Sequence, residues 1–201
     1  MVYSTALLAE KAGGAARLIR GPRPLFPCQV NGPAMPCRCA PGDNLALHRA
    51  VMEAKAGTVI VCDARGRDNV AHFGEFMALE CVREKIAGLV IYGAVRDAAA
   101  VEKIGFPVFC TALCPLPPTK QHAGSVGRTI TLRGVRVAAG DQIIADRDGV
   151  LMVPSMDWPK VLAGIKQLLV QERKTRRRMQ AGESLGEILG LRPCRAVRTT
   201  V

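Results

Sequence analysis

The chain has 201 residues, of which 49% are hydrophobic and 22% charged, a length and balance typical of one globular domain with a buried core. Its longest apolar runs, at residues 58–62 and 87–95, are far too short to span a membrane, and the amino terminus lacks the basic start and apolar core of a signal peptide. Ten of its 28 Lys and Arg lie in residues 160–201 against three acidic residues, so most of the net charge of +11 belongs to the end of the chain. We therefore expect a single cytoplasmic domain over residues 1–201 that makes no membrane contact.

The cysteines predict neither a disulfide framework nor a zinc site. There are eight, at positions 28, 37, 39, 62, 81, 110, 114 and 194. Cys62, Cys81 and Cys110 lie in apolar segments, where a free cysteine behaves as a small hydrophobic residue. The close pairs, at 37 and 39 and at 110 and 114, lack the two-residue spacing and the matching second pair of a structural zinc site. We expect reduced thiols.

Three short apolar runs alternate with two helical stretches in the middle of the chain. The predicted strands are residues 58–63, 88–95 and 107–111, and the predicted helices are residues 74–87 and 97–104. Strands that alternate with helices usually pair in parallel, so we expect a βαβαβ unit in an α/β fold.

The next part of the chain is predicted to be a loop followed by antiparallel strands. Residues 114–127 contain three prolines and two glycines, which is typical of a loop. The stretches TITLRGVRV (129–137) and DQIIADRDGVLMVP (141–154) are rich in β-forming residues on both sides of glycine-containing turns. Together with the βαβαβ unit they predict a mixed sheet.

The C-terminal segment, residues 158–201, is predicted to be a long helix over residues 158–180 followed by a basic tail. The run RKTRRR at 173–178 could contact phosphates. Aromatic residues for base stacking make up only 4% of the chain, however, and no nucleic-acid motif is present. We interpret the run as the solvated end of a helix and do not predict a nucleic-acid partner.

A ligand cleft is predicted where the second strand ends and the first helix begins. If residues 88–95 form a parallel strand, Arg96 and Asp97 follow its carboxyl end, the edge at which open α/β sheets bind ligands. Gly74 lies where the neighbouring helix begins. The two ends of this helix-strand unit can therefore face the same cleft.

The residue types in this cleft suit an anionic substrate and a cation. The amides of Glu75, Phe76 and Met77 at the start of the helix have no acceptor within the helix and can bind an anion. Arg96 offers a fork for a carboxylate, while Glu75 and Asp97 offer oxygens for a divalent ion such as Mg²⁺. The alternative is a surface role, in which Asp97 caps the helix that follows it and Arg96 pairs with Glu75.

Six stretches together resemble the RraA-like family: PGDNLALHRAV (41–51), GEFMA (74–78), IYGAVRD (91–97), FPVFCT (106–111), GVRVAAGDQIIADRDGVLMVP (134–154) and GESLGEILGL (182–191). The resemblance begins at about residue 32, and residues 1–31 fit the family pattern poorly. It implies one α/β domain with a mixed sheet. It also implies a homotrimer or homohexamer with the active site between subunits.

The family contains 4-hydroxy-4-methyl-2-oxoglutarate / 4-carboxy-4-hydroxy-2-oxoadipate aldolases, and also proteins that regulate a ribonuclease without known catalysis of their own. Its aldolases look like class II, metal-dependent enzymes with an acid, twenty intervening residues and an Arg-Asp pair, and Glu75, Arg96 and Asp97 match that motif. The resemblance thus implies a Mg²⁺- or Mn²⁺-dependent lyase that releases pyruvate from small 4-hydroxy-2-oxo acids, with oxaloacetate decarboxylation as a side activity. The alternative is a non-catalytic inhibitor of a ribonuclease. The intact motif favours the enzyme.

The roles that follow are specific. Arg96 and Asp97 are expected to be catalytic, Asp97 and Glu75 to hold the metal ion, and Gly74, Glu75, Phe76 and Met77 to bind the substrate together with Arg96. A lysine Schiff base is the competing way to stabilise the enolate charge. None of the eight lysines follows a predicted strand, so we disfavour that mechanism.

His48 has two interpretations. Its spacing from Leu45, Val51 and Met52 puts it on the apolar face of a helix, which is typical of a core histidine. The resemblance instead implies a substrate-binding role, because a histidine in this LALHRA context lies near the family's pocket. His72 shows no partner pattern and is assigned no role.

Glu172 continues a helical stripe formed by Val161, Ile165 and Leu168, at a position where another apolar residue is expected. The stripe could simply end there. The resemblance implies an acid supplied by a neighbouring subunit's C-terminal helix, and Glu172 matches it by position. We therefore expect Glu172 to be catalytic across a subunit boundary.

Overall fold

The structure is a computed structural model that describes residues 3–191, so the basic tail beyond them lies outside the described residues. Its helices are α1 (Thr5–Ala12), α2 (Leu45–Glu53), α3 (Glu75–Arg83), α4 (Ala98–Ile104), α5 (Trp158–Gln180) and α6 (Leu185–Ile188). Its strands are β1 (Arg17–Ile19), β2 (Arg23–Pro24), β3 (Val30–Arg38), β4 (Val59–Asp63), β5 (Ala71–Phe73), β6 (Gly88–Tyr92), β7 (Ala94–Val95), β8 (Val108–Cys110), β9 (Ala112–Leu113), β10 (Ser125–Val126), β11 (Ile130–Leu132), β12 (Val135–Val137), β13 (Gln142–Asp146) and β14 (Gly149–Val153).

A mixed sheet with the order β1-β14-β13-β3-β4-β6-β8-β2 lies at the centre of the fold, and β10 pairs with the end of β3. Its middle strands β3, β4, β6 and β8 are parallel. The flanking strands pair antiparallel. Every residue of β4 is buried, as expected for a parallel strand that is covered on both faces. These features confirm the predicted α/β class and mixed sheet.

The core has three parts. Residues of α2, α3 and α4 pack on one face of the parallel strands, and the β11–β12 hairpin packs on the other face. The third part joins α1 and α5 to the strands β13 and β14 through Leu8, Ile144 and Ile165, all of which are fully buried. Within residues 3–191, no helix combines the length and the apolar character that crossing a membrane requires.

The predicted βαβαβ unit is present as β4-α3-β6-α4-β8, but one of its strands was predicted wrongly. Residues 88–95 do not form one strand, because the chain leaves the central sheet at Gly93. The Tyr92 carbonyl accepts hydrogen bonds from the amides of Ala64 and Gly66 instead of continuing the ladder. A Cβ at position 93 would lie 2.6 Å from the Cβ of Ala64, so glycine permits this close approach. After the break, β7 joins a separate parallel sheet with the order β5-β7-β9.

The second half follows the sequence prediction closely. Hairpins β11–β12 and β13–β14 form around the two glycine-containing turns, and α5 spans the predicted residues.

Two further sequence predictions concern the end of α3 and the state of the cysteines. Helix α3 ends at Arg83 rather than at residue 87, and Lys85 then has a left-handed φ of 56°. The cysteines at 28, 37, 39, 62, 81, 110 and 114 are free, as expected, while Cys194 lies outside the described residues.

Candidate active site

The small β5-β7-β9 sheet brings the two ends of the motif together. Strand β5 runs through Gly74 into α3, and β7 runs through Arg96 and Asp97 into α4. Because β5 and β7 are parallel neighbours, both strands end at the same edge, and the Arg96 amide donates to the Phe73 carbonyl across it at 2.9 Å. The predicted cleft therefore exists, but at the edge of the small sheet rather than of the central one.

Gly74 is required by the close approach of the two segments. A Cβ on this residue would lie 2.5 Å from Asp97 Oδ2 and 3.0 Å from Arg96 Cγ. Its φ of −163° is ordinary extended backbone, so the requirement is for space and not for an unusual conformation. The side chains of Arg96 and Asp97, which follow β7, therefore lie directly over the start of α3.

Asp97 holds the start of α3 and does not cap its own helix. It has a left-handed φ of 57°, and its side chain makes no capping hydrogen bond to α4. Instead, Asp97 Oδ2 accepts a hydrogen bond from the Glu75 amide at 3.1 Å and lies 3.5 Å from Arg96 Nε. Both parts of the surface alternative are therefore wrong, because Asp97 caps α3 and Arg96 pairs with Asp97 rather than with Glu75.

Two of the three helix amides predicted to bind an anion remain available. The Glu75 amide is occupied by Asp97, so that part of the prediction is corrected. The amides of Phe76 and Met77 donate to no acceptor within residues 3–191. The side chains of Arg96 and Asp97 are 37% and 40% exposed, so a ligand can reach them.

These groups line a cavity of about 170 Å³. The cavity is lined by all of the predicted residues that lie in this region: Gly74, Glu75, Phe76, Met77, Arg96, Asp97 and His48. Residues that were not predicted also line it, among them Asn44, His72, Pro118 and Lys120. The Asn44 side-chain amide donates to the His72 carbonyl at 2.9 Å, which ties the start of α2 to β5. The structure thus collects all predicted site residues except Glu172 at one place.

His48 lies at this cavity and not in the core. The buried residues of α2 are Ala46, Leu47, Ala50 and Val51, whereas His48 is half-buried. Burial lowers the pKa of His48, the positive charge of Lys120 lowers it further, and Glu80 opposes the shift. His48 is therefore neutral at pH 7, able to donate one hydrogen bond and accept another.

Glu172 lies elsewhere in the same chain. The stripe of Val161, Ile165 and Leu168 is buried, as predicted, and it packs against α1, which was not predicted. Glu172 continues the stripe, half-buried, in a groove between α1, α5 and α6. That groove shares no lining residue with the cavity of Arg96. Within one subunit Glu172 is therefore not part of the cavity, and a role in a neighbouring subunit's cavity stays a prediction.

Sequence reasoning missed Lys120, Asn44 and His72. Lys120 follows no predicted strand and reaches the cavity from the long loop, so only its place in the proline-rich segment could have drawn attention to it. His72 lies in β5, which is too short for a periodic signal. Its ring is completely buried, and neither ring nitrogen makes a hydrogen bond within the described residues. Burial lowers the pKa of His72, although the nearby Val70 backbone opposes the shift.

The donor set fits a metal ion that takes few protein ligands. Within residues 3–191, no group of three or more His, Cys, Asp or Glu could hold a metal ion. Asp97 Oδ1 accepts no hydrogen bond from any of these residues, and the Glu75 side chain lines the same cavity. Mg²⁺ commonly binds through one or two carboxylates and keeps several waters, so Asp97 and Glu75 suit it better than an ion that needs a full protein shell.

The chain is similar to one known family and to several individual proteins. The family model of RraA-like proteins, described as aldolase/RraA, matches residues 5–152. The match includes residues 5–31, most of the N-terminal segment that we expected to fit the family pattern poorly. It ends at residue 152, before α5 and Glu172. A Halalkalibacterium halodurans protein named as a candidate 4-hydroxy-4-methyl-2-oxoglutarate aldolase is 38% identical over 139 residues, which cover 69% of this chain and 66% of that protein.

Two solved structures share the fold. The RNA-processing inhibitor RraA from Thermus thermophilus has 26% sequence identity and a TM-score of 0.70, with 77% of this chain and 94% of that chain covered. An uncharacterised protein from Pseudomonas syringae has a TM-score of 0.79 over 92% of this chain and 91% of that chain. Its identity of 20% shows similarity of fold alone.

Proposed function

Because this chain belongs to the RraA-like (aldolase/RraA) family, we propose that it is a divalent-metal-dependent aldolase. Its substrates would be 4-hydroxy-2-oxo acids of the 4-hydroxy-4-methyl-2-oxoglutarate type, which it would cleave to pyruvate. The observation that carries the proposal is the meeting of Arg96, Asp97 and the start of α3 in one cavity.

Arg96 and α3 would bind the oxo-acid end of the substrate. The Arg96 guanidinium is partly exposed and is held near Asp97, so its remaining N–H groups can reach a carboxylate or the 2-oxo oxygen. The free amides of Phe76 and Met77 lie at the positive end of a helix dipole and would donate hydrogen bonds to the other carboxylate oxygen. Together they would hold the substrate in one orientation.

Asp97 and Glu75 are the residues that would hold Mg²⁺ or Mn²⁺, which acts as a Lewis acid and stabilises negative charge on an oxo oxygen. Asp97 would also keep Arg96 in place through their ion pair. The Glu75 amide, held by Asp97, would keep the first turn of α3 oriented towards the substrate.

The chemistry is a retro-aldol cleavage. A base removes the proton of the 4-hydroxyl group, the C4 oxygen forms a carbonyl as the bond between C3 and C4 breaks, and the C4 fragment leaves as a second oxo acid. The electron pair of the broken bond becomes a pyruvate enolate beside Arg96. The enolate then takes a proton at C3 to form pyruvate. Oxaloacetate would give the same enolate by loss of CO₂, so its decarboxylation is the expected side activity. The positive charge of Arg96 stabilises this anion in both reactions.

The far end of the substrate carries a second carboxylate, and Lys120 with the neutral His48 would bind it. Lys120 lines the cavity and its charge already acts on His48. Lys120 also reopens the Schiff-base alternative, since it is a lysine at the cavity. Its exposure argues against that mechanism, because a Schiff-base lysine is usually activated by removal from water.

Glu172 would complete the cavity from a neighbouring subunit of a homotrimer or homohexamer. It lies half-buried with no hydrogen bond or ion pair within residues 3–191. A partly buried carboxylate is costly without a partner, so a subunit contact would give it one. There it would serve as the base for the 4-hydroxyl proton.

A coupled assay for pyruvate, with 4-hydroxy-4-methyl-2-oxoglutarate and with oxaloacetate, tests the proposal. We expect turnover of both substrates and loss of turnover in Arg96→Lys. The similarity to the inhibitor RraA supports a second candidate, a ribonuclease inhibitor. That function predicts no pyruvate from either substrate and inhibition that Arg96→Lys does not change.

A further inference from the structure

Asp43 is a buried carboxylate between β3 and α2 and does not line the cavity. Its side chain is completely buried. Asp43 Oδ2 accepts hydrogen bonds from Thr119 Oγ1 at 2.7 Å, from the Gln121 amide at 2.5 Å and from the His122 amide at 3.1 Å. Asp43 Oδ1 accepts from the Leu45 amide at 2.9 Å. One side chain therefore joins the start of α2 to residues 119–122.

Backbone contacts extend the same junction. The Asn44 amide donates to the Thr119 carbonyl at 3.0 Å, and the Thr119 amide donates to the Gly42 carbonyl at 2.9 Å. Residues 115–124 otherwise have little regular structure and are mostly exposed. Apolar burial cannot hold such a segment, so it is anchored by polar contacts to Asp43 and to the backbone of Gly42, Asn44 and Ala71.

The junction lies between two groups of the cavity. Helix α2 begins two residues after Asp43 and contributes His48, and residues 119–122 contain Lys120. Burial raises the pKa of Asp43, but the four donated hydrogen bonds outweigh burial and hold this pKa well below the usual range. The carboxylate is therefore ionised at neutral pH and can orient all four donors.

We propose that Asp43 is a positioning residue that holds Lys120 beside His48, so that the cavity accepts the second carboxylate of a dicarboxylic oxo acid. Without the junction, residues 119–122 would sample many conformations, and Lys120 would be fixed only at an entropic cost when the ligand binds. The inference rests on the proposed function for the identity of the ligand. It concerns binding, however, and its test needs no turnover.

The test compares two ligands by titration calorimetry with Mg²⁺ present. Pyruvate has only the oxo-acid end, whereas 2-oxoglutarate has a second carboxylate and lacks the 4-hydroxyl group that cleavage needs. The proteins are the wild type, Asp43→Asn, Lys120→Met and the double variant. Asp141→Asn is the matched control, because Asp141 is also buried and also accepts backbone amides, those of Ala138 and Ser155, but lies outside the cavity.

We expect Asp43→Asn and Lys120→Met each to weaken 2-oxoglutarate binding by about tenfold and to leave pyruvate binding within about twofold. The double variant should bind 2-oxoglutarate about as weakly as either single variant, since Asp43 acts through Lys120. Asp141→Asn should bind both ligands like the wild type. Thr119→Val removes one donor to the carboxylate and should give a smaller loss of the same kind, which covers the case in which Asp43→Asn does not fold.

Three patterns of binding among the variants would overturn the inference. They are independent losses that multiply in the double variant, equal losses for pyruvate and 2-oxoglutarate, and wild-type affinity in both Asp43→Asn and Thr119→Val. Absence of 2-oxoglutarate binding in the wild type would overturn it as well. If the expected binding pattern appears but the wild type cleaves no 4-hydroxy-2-oxo acid, the aldolase proposal fails and the positioning role stands.

Discussion

The cavity has two walls that are built by different physical means. The first, which we call the motif wall, consists of residues 74–77 with Arg96 and Asp97, and it is formed by two neighbouring parallel strands that end at one edge. The second, the loop wall, consists of His48 in α2 and Lys120 in the loop of residues 115–124. Hydrogen bonds from that loop to Asp43, just before α2, connect the two segments. Backbone pairing and a missing Cβ set the positions in the motif wall, whereas in the loop wall we propose that one buried charge, that of Asp43, sets the position of Lys120. Changes in the motif wall should therefore affect the chemistry, and changes in the loop wall should affect ligand choice and stability.

The largest effect should come from removal of the divalent ion. Without it the carboxylates of Asp97 and Glu75 repel an acidic substrate, and nothing neutralises the charge that develops on the oxo oxygen. We expect no measurable pyruvate after exhaustive chelation and recovery on addition of Mg²⁺ or Mn²⁺. Full activity in the chelated protein would refute a class II mechanism, and trapping of a covalent adduct by borohydride would then identify a lysine mechanism.

Arg96→Lys should be the most damaging single substitution in the motif wall. Lysine keeps the positive charge but loses the planar fork, so the enolate and the carboxylate lose a paired contact. We expect kcat to fall by roughly 10²–10³, the usual cost of losing one stabilising donor for a developing anion. Circular dichroism and thermal unfolding should match the wild type. Wild-type kinetics would place the guanidinium outside the reaction.

Gly74→Ala tests whether close approach alone builds the motif wall. An added Cβ would lie 2.5 Å from Asp97 Oδ2, so Asp97 and Arg96 must move. A displacement of about 1 Å costs roughly a hundredfold in rate, which is the loss of kcat/KM that we expect. Gly14→Ala is the control, because an added Cβ there meets nothing within 4 Å and should leave activity unchanged. Equal activity in the two variants would contradict the steric argument.

We predict that Glu172 of a neighbouring subunit forms a third wall of the cavity. Arg96→Lys and Glu172→Gln should each be nearly inactive in cleavage. When the two variants are unfolded and reassembled together, roughly a quarter of the sites in a mixed ring should combine Arg96 of one subunit with Glu172 of the next. We expect activity to return in that proportion. If mass spectrometry shows hybrid oligomers and no activity returns, Glu172 does not act across the boundary.

The smallest effect concerns the loop wall and its dependence on pH. The pKa of Asp43 is lower in the folded than in the unfolded protein. Its ionisation therefore stabilises the fold at pH values above the ordinary pKa of a carboxyl group, and this stabilisation is lost as pH falls towards the pKa of the folded state. At pH 7 we expect Asp43→Asn to lower the free energy of unfolding by about 2 kcal/mol, the scale of a hydrogen bond to a charged group. The difference should shrink as pH falls below about 4.

Chemical denaturation of both proteins between pH 7 and about pH 3 measures this difference. Burial lowers the pKa of His72 and the nearby charge of Asp43 opposes that shift, so Asp43→Asn lowers the His72 pKa further. This second effect makes the variant lose more stability than the wild type as pH falls, which is opposite in sign to the effect of Asp43 itself. A difference that stays constant with pH would mean that the charge of Asp43 does not stabilise the junction.

Much of the fold could be predicted because local patterns report burial. The predictions of β4 from an apolar run and of α5 from the stripe of Val161, Ile165 and Leu168 are confirmed. A strand buried on both faces is apolar throughout, and a helix buried on one face is apolar at every third or fourth residue. The break at Gly93 could not be predicted. A glycine in a strand pattern does not show which neighbour approaches it, and here that neighbour is Ala64.

The sequence by itself determined which chemical groups this protein has and that its motif residues lie at the ends of strands and helices. Only the tertiary structure decided their partners. In the folded chain the Asp97 side chain accepts a hydrogen bond from α3 and none from its own helix. Asp43 accepts one from Thr119, 76 positions away in the chain, and the neighbouring Lys120 lines the cavity. The reason is physical: periodicity records which face of an element is buried, whereas hydrogen bonds between distant segments depend on how the whole chain packs.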